Sequence, residues 1–225
     1  MGKSSQTIRK NILSRLRNFS IDMDPDEYHP NDYSDISKNY TNEIKIKKFK
    51  KSIEEKHAEV HYCNENNWYD ILSLIIKEKK IKSMIYGKRS DLGNKLLENF
   101  EHKSIDNFDL VDYDKPIEDI KSLLFKMDSS ITFARGGIAE TGTLIIWPSP
   151  EEPRLMSLVT PIHIAILHAK TIHNNFLEVM KKEKWNKNMP TNLILISGPS
   201  KTADIEQTLV YGVHGCKELV VLLIK

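Results

Sequence analysis

Leu193-Ile194-Leu195-Ile196-Ser197-Gly198-Pro199-Ser200-Lys201-Thr202-Ala203-Asp204-Ile205-Glu206 carries an apolar, strand-type run straight into a cluster of glycine, hydroxyl and charged residues. Four aliphatic residues bounded by a Gly-Pro turn read as a buried strand. The segment that follows, 203–211, reads as a helix. A strand that ends in a polar loop and continues as a helix is the repeating unit of an α/β fold. A second polar cluster, Gly136-Gly137-Ile138-Ala139-Glu140-Thr141-Gly142-Thr143, lies between two further β-branched runs. A third, Gly212-Val213-His214-Gly215, precedes the last one.

Working outward, the same alternation extends across most of the chain. Strands are predicted at 58–63, 82–86, 108–111, 130–134, 143–147, 161–167, 193–196 and 219–224. Helices are predicted at 43–56, 66–79, 91–99, from Pro116 onward, 171–182 and 203–211. Short apolar strands alternating with helices predict a largely parallel sheet covered by helices on both faces. Ahead of it, Ile8, Ile12, Leu13, Leu16 and Phe19 recur at helical spacing over residues 5–19. Residues 20–42, rich in Asp, Pro, Asn and Tyr, have no period and read as a linker. The expected organisation is an N-terminal helix and linker over 1–42 and one α/β domain over 43–225.

Composition narrows the function classes. The 225 residues carry a formal net charge of +2, which makes no electrostatic case for nucleic acid as a partner. The lysines at 45, 47, 48, 50 and 51 read as a solvated helix face or as phosphate contacts. Only Cys63 and Cys216 are present, with no C-x-x-C spacing. An iron–sulfur cluster takes about four thiolates, so this chain is not expected to hold one alone. Two isolated thiols fit a reducing compartment, and a cytoplasmic location is expected. No apolar run approaches the ~20 residues of a membrane span, and there is no secretory core segment. No His-Glu-x-x-His or comparable metal spacing occurs, so no metal site is expected.

The polar clusters are the candidate site. Ligands of open α/β sheets bind at the carboxyl ends of strands, where both main clusters are placed. Gly136 and Gly137 permit a tight turn, with Gly137 a candidate ligand contact; Gly142 lets backbone approach backbone or ligand, and Thr141 and Thr143 add hydroxyls. Ser197, Gly198, Ser200 and Lys201 would direct hydroxyls, amides and a charge at a small anion. Thr202 reads as a helix N-cap, and Asp204 and Glu206 read equally as helix-start residues or as ligand contacts. His214, held between glycines, is a binding or acid–base group or simply bonds its own loop. Glu140 is the one carboxylate of the first cluster, a base or nucleophile or an acceptor for loop amides. Arg135 reads as a solvated loop residue, as a partner for Glu140, or as a contact for a ligand carboxylate.

The runs Gly-Ile-Ala-Glu-Thr-Gly-Thr-Leu-Ile-Ile and Ile-Ser-Gly-Pro-Ser-Lys-Thr-Ala-Asp-Ile-Glu, with Gly-Val-His-Gly behind them, resemble the LUD domain of lactate-utilization proteins. The closest subtype is the small C-type subunit, whose opening helix Ile12-Leu13-Ser14-Arg15-Leu16-Arg17 also resembles. The resemblance implies a Rossmann-like fold of the sugar-phosphate isomerase and CoA-transferase superfamily (NagB/RpiA/CoA transferase-like). It implies a non-redox role in oxidising L-lactate to pyruvate beside iron–sulfur partner proteins, with no cofactor on this chain and a small carboxylate or phosphate as its ligand. It also suggests, by analogy with CoA transferases, a nucleophilic loop glutamate at Glu140. The alternatives are a free-standing enzyme acting on a phosphorylated or CoA-linked small molecule, and a metabolite-sensing module. The chain departs from the subtype at Lys201, where Arg is common, and at Cys216, where Pro is common. Lysine keeps the charge but loses the two-pronged guanidinium.

Overall fold

The computed structural model describes residues 7, 9–15, 40–114, 117–203, 209–211 and 215–225. Two compact units divide the chain, 1–38 and 39–225. In the first, residues 9–15 are helical, as their apolar spacing predicts.

The second unit runs α1 (Asn42–Glu54), β1 (Glu59–Cys63), α2 (Trp68–Glu78), β2 (Ser83–Tyr86), α3 (Asp91–His102), β3 (Asp109–Asp112), α4 (Ile117–Leu124) and β4 (Ser129–Ala134). It continues β5 (Gly136–Ile138), β6 (Thr143–Ile146), β7 (Ile162–His168), β8 (Ile172–His173), α5 (Phe176–Lys182), α6 (Trp185–Asn188), β9 (Ile194–Ile196), β10 (Lys201–Ala203), β11 (Leu209–Tyr211) and β12 (Glu218–Ile224).

Six strands form one sheet in the order β1-β12-β7-β4-β2-β3, and every neighbouring pair is parallel. The centre is β7 beside β12, in register from Ile162 against Glu218 to His168 against Ile224. Strands that are apolar without alternation suit this position, because helices and a second layer bury both faces. On one face Ile131, Ile164, Ile166, Val220 and Leu222 pack against α2 and α3. Trp68, Leu72, Ile75 and Ile76 supply the buried stripe of α2 at helical spacing.

The other face carries smaller side chains, Ala134 and Ala165 among them, with Leu167, Val221 and Leu223. A second sheet, β8-β5-β6-β9, takes up the space they leave. Its inward residues Leu144, Ile146, Ile172 and Ile196 share a core with Phe49 and Ile53 of α1. Its outer face is covered by Val179 of α5 and Trp185 of α6 against Ile138 and Ile145. Among the described residues no helix is long and apolar enough to cross a membrane.

Three local readings are corrected. Gly136–Ile138 is a strand rather than a tight turn, antiparallel to β6 and parallel to β8. The helix expected from 171 begins at Phe176, because the Asn175 side chain caps it by accepting the Glu178 N–H at 2.9 Å. The helix expected over 203–211 is replaced by an antiparallel ladder, with Lys201 opposite Tyr211 and Ala203 opposite Leu209. A nine-residue helix is marginal by itself, and strand pairing with β-branched and aromatic residues wins. Thr202 therefore lies in β10, not at a helix N-cap. Asp204, Glu206 and His214 lie outside the described residues.

A polar seam crosses the buried sheet. His163 Nε2 and Thr132 Oγ1 lie 2.8 Å apart, and Ser130 Oγ is 2.8 Å from Thr160 Oγ1. His163 Nδ1 is buried with no hydrogen-bond partner. Burial pushes the imidazole down to about 4. The native state thus holds a neutral ring, while the unfolded chain takes up a proton near its ordinary value of about 6.5. The resulting stabilisation is complete above about 6.5 and is lost as pH falls toward 4. Thermal denaturation across that window is expected to show a loss of up to about 3 kcal/mol from this ring. His163→Gln, which cannot titrate, should flatten the slope; an unchanged slope would contradict the assignment.

Candidate functional site

The two main polar clusters meet. β6 pairs with β5 on one side and β9 on the other, which brings the turn 139–142 beside the loop that follows Ile196. Thr143 Oγ1 is 2.7 Å from Ser197 Oγ, and Thr141 Oγ1 is 2.6 Å from Thr143 Oγ1. Three hydroxyls from both clusters thus form one continuous chain. Thr143 is buried, Ser197 is half-buried and Thr141 is exposed, so the chain runs from the core to the surface.

The end of α1 holds this arrangement. Gly142 has φ +58°, and a Cβ there would collide with the backbone nitrogen of Ile53. A Cβ on Gly198 would lie 2.6 Å from the carbonyl oxygen of Lys56. Both glycines are required by close packing, Gly142 on the last turn of α1 and Gly198 on the turn that follows it. The Lys56 ammonium donates to the Thr141 carbonyl, closing the group from outside. A cleft of about 440 Å³ opens here, lined by Lys56, His57, Ser197, Gly198, Pro199 and Lys201 among others. Two lysines beside the Ser197 hydroxyl and the Gly198 backbone, with Glu55 at the edge, suit a small anion or polar molecule; Thr141 and Thr143 lie behind this lining.

The remaining predicted residues take separate places. Gly137 is in the core; a Cβ there would lie 3.0 Å from the Phe49 ring and 3.2 Å from Leu167. Ser200 donates its backbone N–H to the Cys216 carbonyl at 2.9 Å, and Gly215 leaves room for its side chain. Glu140 is exposed at the tip of the β5–β6 turn, its N–H bonded to the Asn174 carbonyl at 3.0 Å, and does not line the cleft. Arg135 pairs with Glu183 at 2.5 Å, not with Glu140.

Lys56 and His57 are the site residues that sequence reading passed over. Lys56 contacts Thr141, 85 positions away, and no local pattern signals such a pairing. Among the described residues, no histidine or carboxylate hydrogen-bonds Thr143 or Ser197. No group of three or more metal-ligating side chains occurs among the described residues. Both cysteines are buried, and burial pushes their thiols up, Cys63 to about 11.

Comparison with known proteins places this geometry in context. The LUD domain model matches residues 46–224. An uncharacterized protein of Neisseria meningitidis serogroup B is 32% identical over 221 residues, spanning 96% of this chain and 93% of that protein. Lactate utilization protein C 1 of Bacillus mycoides is 32% identical over 164 residues, 71% of this chain and 70% of its own. Lactate utilization protein C of an Exiguobacterium species is 26% identical over 230 residues, 96% and 95% of the two chains. A crystal structure of a DUF162 family protein from Deinococcus radiodurans superposes with a TM-score of 0.62 at 16% identity, covering 83% of this chain and 99% of that one. That last likeness bears on the fold alone.

The coupling through the hydroxyl chain is measurable. Thr143→Val keeps shape and removes the bridging hydroxyl, leaving the Ser197 hydroxyl without this partner. The expected cost is about 1–2 kcal/mol in denaturant unfolding. Ser197→Ala on top of it should add much less than it does alone. Full additivity would show that the two clusters are not coupled.

Proposed function

The chain belongs to the LUD domain family, and from that premise we propose that it serves lactate utilization as a non-redox subunit. In this reading, iron–sulfur partner proteins carry the two electrons released when L-lactate becomes pyruvate. This chain binds a small carboxylate or phosphate at the hydroxyl cluster.

The observation that carries the reading is the Thr143–Ser197 contact beside Lys56. It joins the two motifs that, with Gly-Val-His-Gly, carry the resemblance, at the edge of a cleft that the second of them lines. The names of the relatives from Bacillus and Exiguobacterium point to the same process. The buried, unreactive thiols agree with a subunit that leaves electron transfer to others.

Growth on L-lactate as sole carbon source tests the role. A deletion strain is expected to fail, and a Ser197→Ala, Lys201→Ala chain that folds normally is expected not to rescue it. Affinity purification of the tagged wild-type chain should bring down cysteine-rich iron–sulfur proteins. Normal growth of the deletion strain on L-lactate would refute the proposal.

A further inference from the structure

The main sheet contains a second place where a ligand fits. From β2 the chain passes outward to β3, then returns to the opposite side of β2 to form β4. Loops leaving strands at such a reversal diverge, and the crevice at their carboxyl ends is the common ligand position of open α/β sheets. Here it holds a cleft of about 400 Å³, within the size range of small-molecule sites.

Its walls are closely built. A Cβ on Gly87, just past β2, would run into the Glu151 carbonyl, and one on Gly93 would run into the Gly87 carbonyl. The loop after β2 is therefore pressed against both the start of α3 and the 149–152 loop. Ser90 fixes the corner by accepting the Gly93 N–H at 3.0 Å. Beyond the end of β4, the Arg135 guanidinium lies over Trp147, 4.4 Å from the ring centre, and its Nε donates to Glu183 at 2.5 Å. That anchoring orients the planar group and leaves its two Nη nitrogens as a fork. Arg89 contributes a second guanidinium from the loop after β2, with its Nε 3.7 Å from Asp114. Phe133, 38% exposed, and Trp147 make an aromatic wall.

Glu152 reaches into the same cleft and accepts the Phe133 N–H at 2.9 Å. Burial raises its carboxyl above the usual range, against the Phe133 and Ser90 hydrogen bonds that lower it, while Asp91 and Glu151 raise it further. The charged groups facing it are thus Asp91 on α3, Glu151 on its own loop, Arg89 after β2, 3.7 Å from Asp114, and Arg135 after β4, paired with Glu183. A proton on Glu152 removes one negative charge from the cleft and makes the side chain a hydrogen-bond donor, so an added anion meets less repulsion.

We propose that this cleft is a second ligand site, separate from the hydroxyl cluster, that takes a small organic acid. Arg89 and Arg135 receive the carboxylate, Phe133 and Trp147 flank the apolar part, and Glu152 donates to a remaining ligand oxygen. The proposal stands independently of the function argued for the hydroxyl cluster.

Calorimetric titration of the full chain with pyruvate and with benzoate tests it. At least one probe should bind, more tightly below neutral pH than above it. Arg89→Gln, a surface change that spares the fold, and Arg135→Gln should each weaken binding about tenfold or more. Glu152→Gln should remove the pH dependence, and the component of binding that the arginine changes weaken should persist in Ser197→Ala. Two outcomes overturn the proposal: no binding of either probe to the wild-type chain, or binding that survives both arginine changes and is lost in Ser197→Ala.

Discussion

The end of α1 and the turn that follows it are the constraint on which the hydroxyl site depends. Gly142 sits on the backbone of Ser52 and Ile53, Gly198 sits on the carbonyl of Lys56, and the Lys56 ammonium bonds the Thr141 carbonyl. Three contacts from residues 52–56, the helix end and its turn, thus set the spacing of two loops that lie far apart in sequence. The helix is itself anchored by Phe49 and Ile53, both fully buried one turn apart. Burying two such side chains is worth about 1.5–3 kcal/mol each, enough to hold a helix whose other positions are largely charged.

The two faces of the main sheet explain why there is room for this. One face carries bulky aliphatics and takes two amphipathic helices. The other has alanines at 134 and 165, and Ser130 and Thr132, and takes a second sheet instead. Small side chains on that face let the second sheet approach the first, with Gly137 lying on the Phe49 ring and Leu167. The same choice leaves a polar seam at Ser130, Thr132, Thr160 and His163, satisfied except at His163 Nδ1. A buried seam of this kind is paid for in stability, and here it ties part of the fold's energy to pH.

The two clefts are built differently. One has the Ser197 end of a hydroxyl chain between two lysines, where the second sheet meets the turn after α1. The other is an aromatic and guanidinium wall at the reversal of strand order in the main sheet. Lysine offers a mobile point charge, whereas a stacked, anchored arginine presents a fixed fork. The first arrangement suits a compact anion of variable geometry and the second a planar carboxylate.

The apolar runs 161–167 and 219–224 were legible as strands, and 66–79 as a helix, close to the observed Ile162–His168, Glu218–Ile224 and Trp68–Glu78. These patterns are local, and the sequence by itself determined the parallel α/β layering from them. The pairing of 201–203 with 209–211 and the strand at 136–138 were not legible, since a strand is fixed by its partner and local propensity points another way. The motifs named Thr141, Thr143 and Ser197 as site candidates, but only the tertiary structure decided that their hydroxyls touch. It alone placed Glu140 outside the cleft, joined Lys56 to Thr141, and set Arg135 on Trp147. The physical reason is that hydrogen bonds and close packing are relations between surfaces, and a linear chain records the groups without recording which of them will be brought within 3 Å.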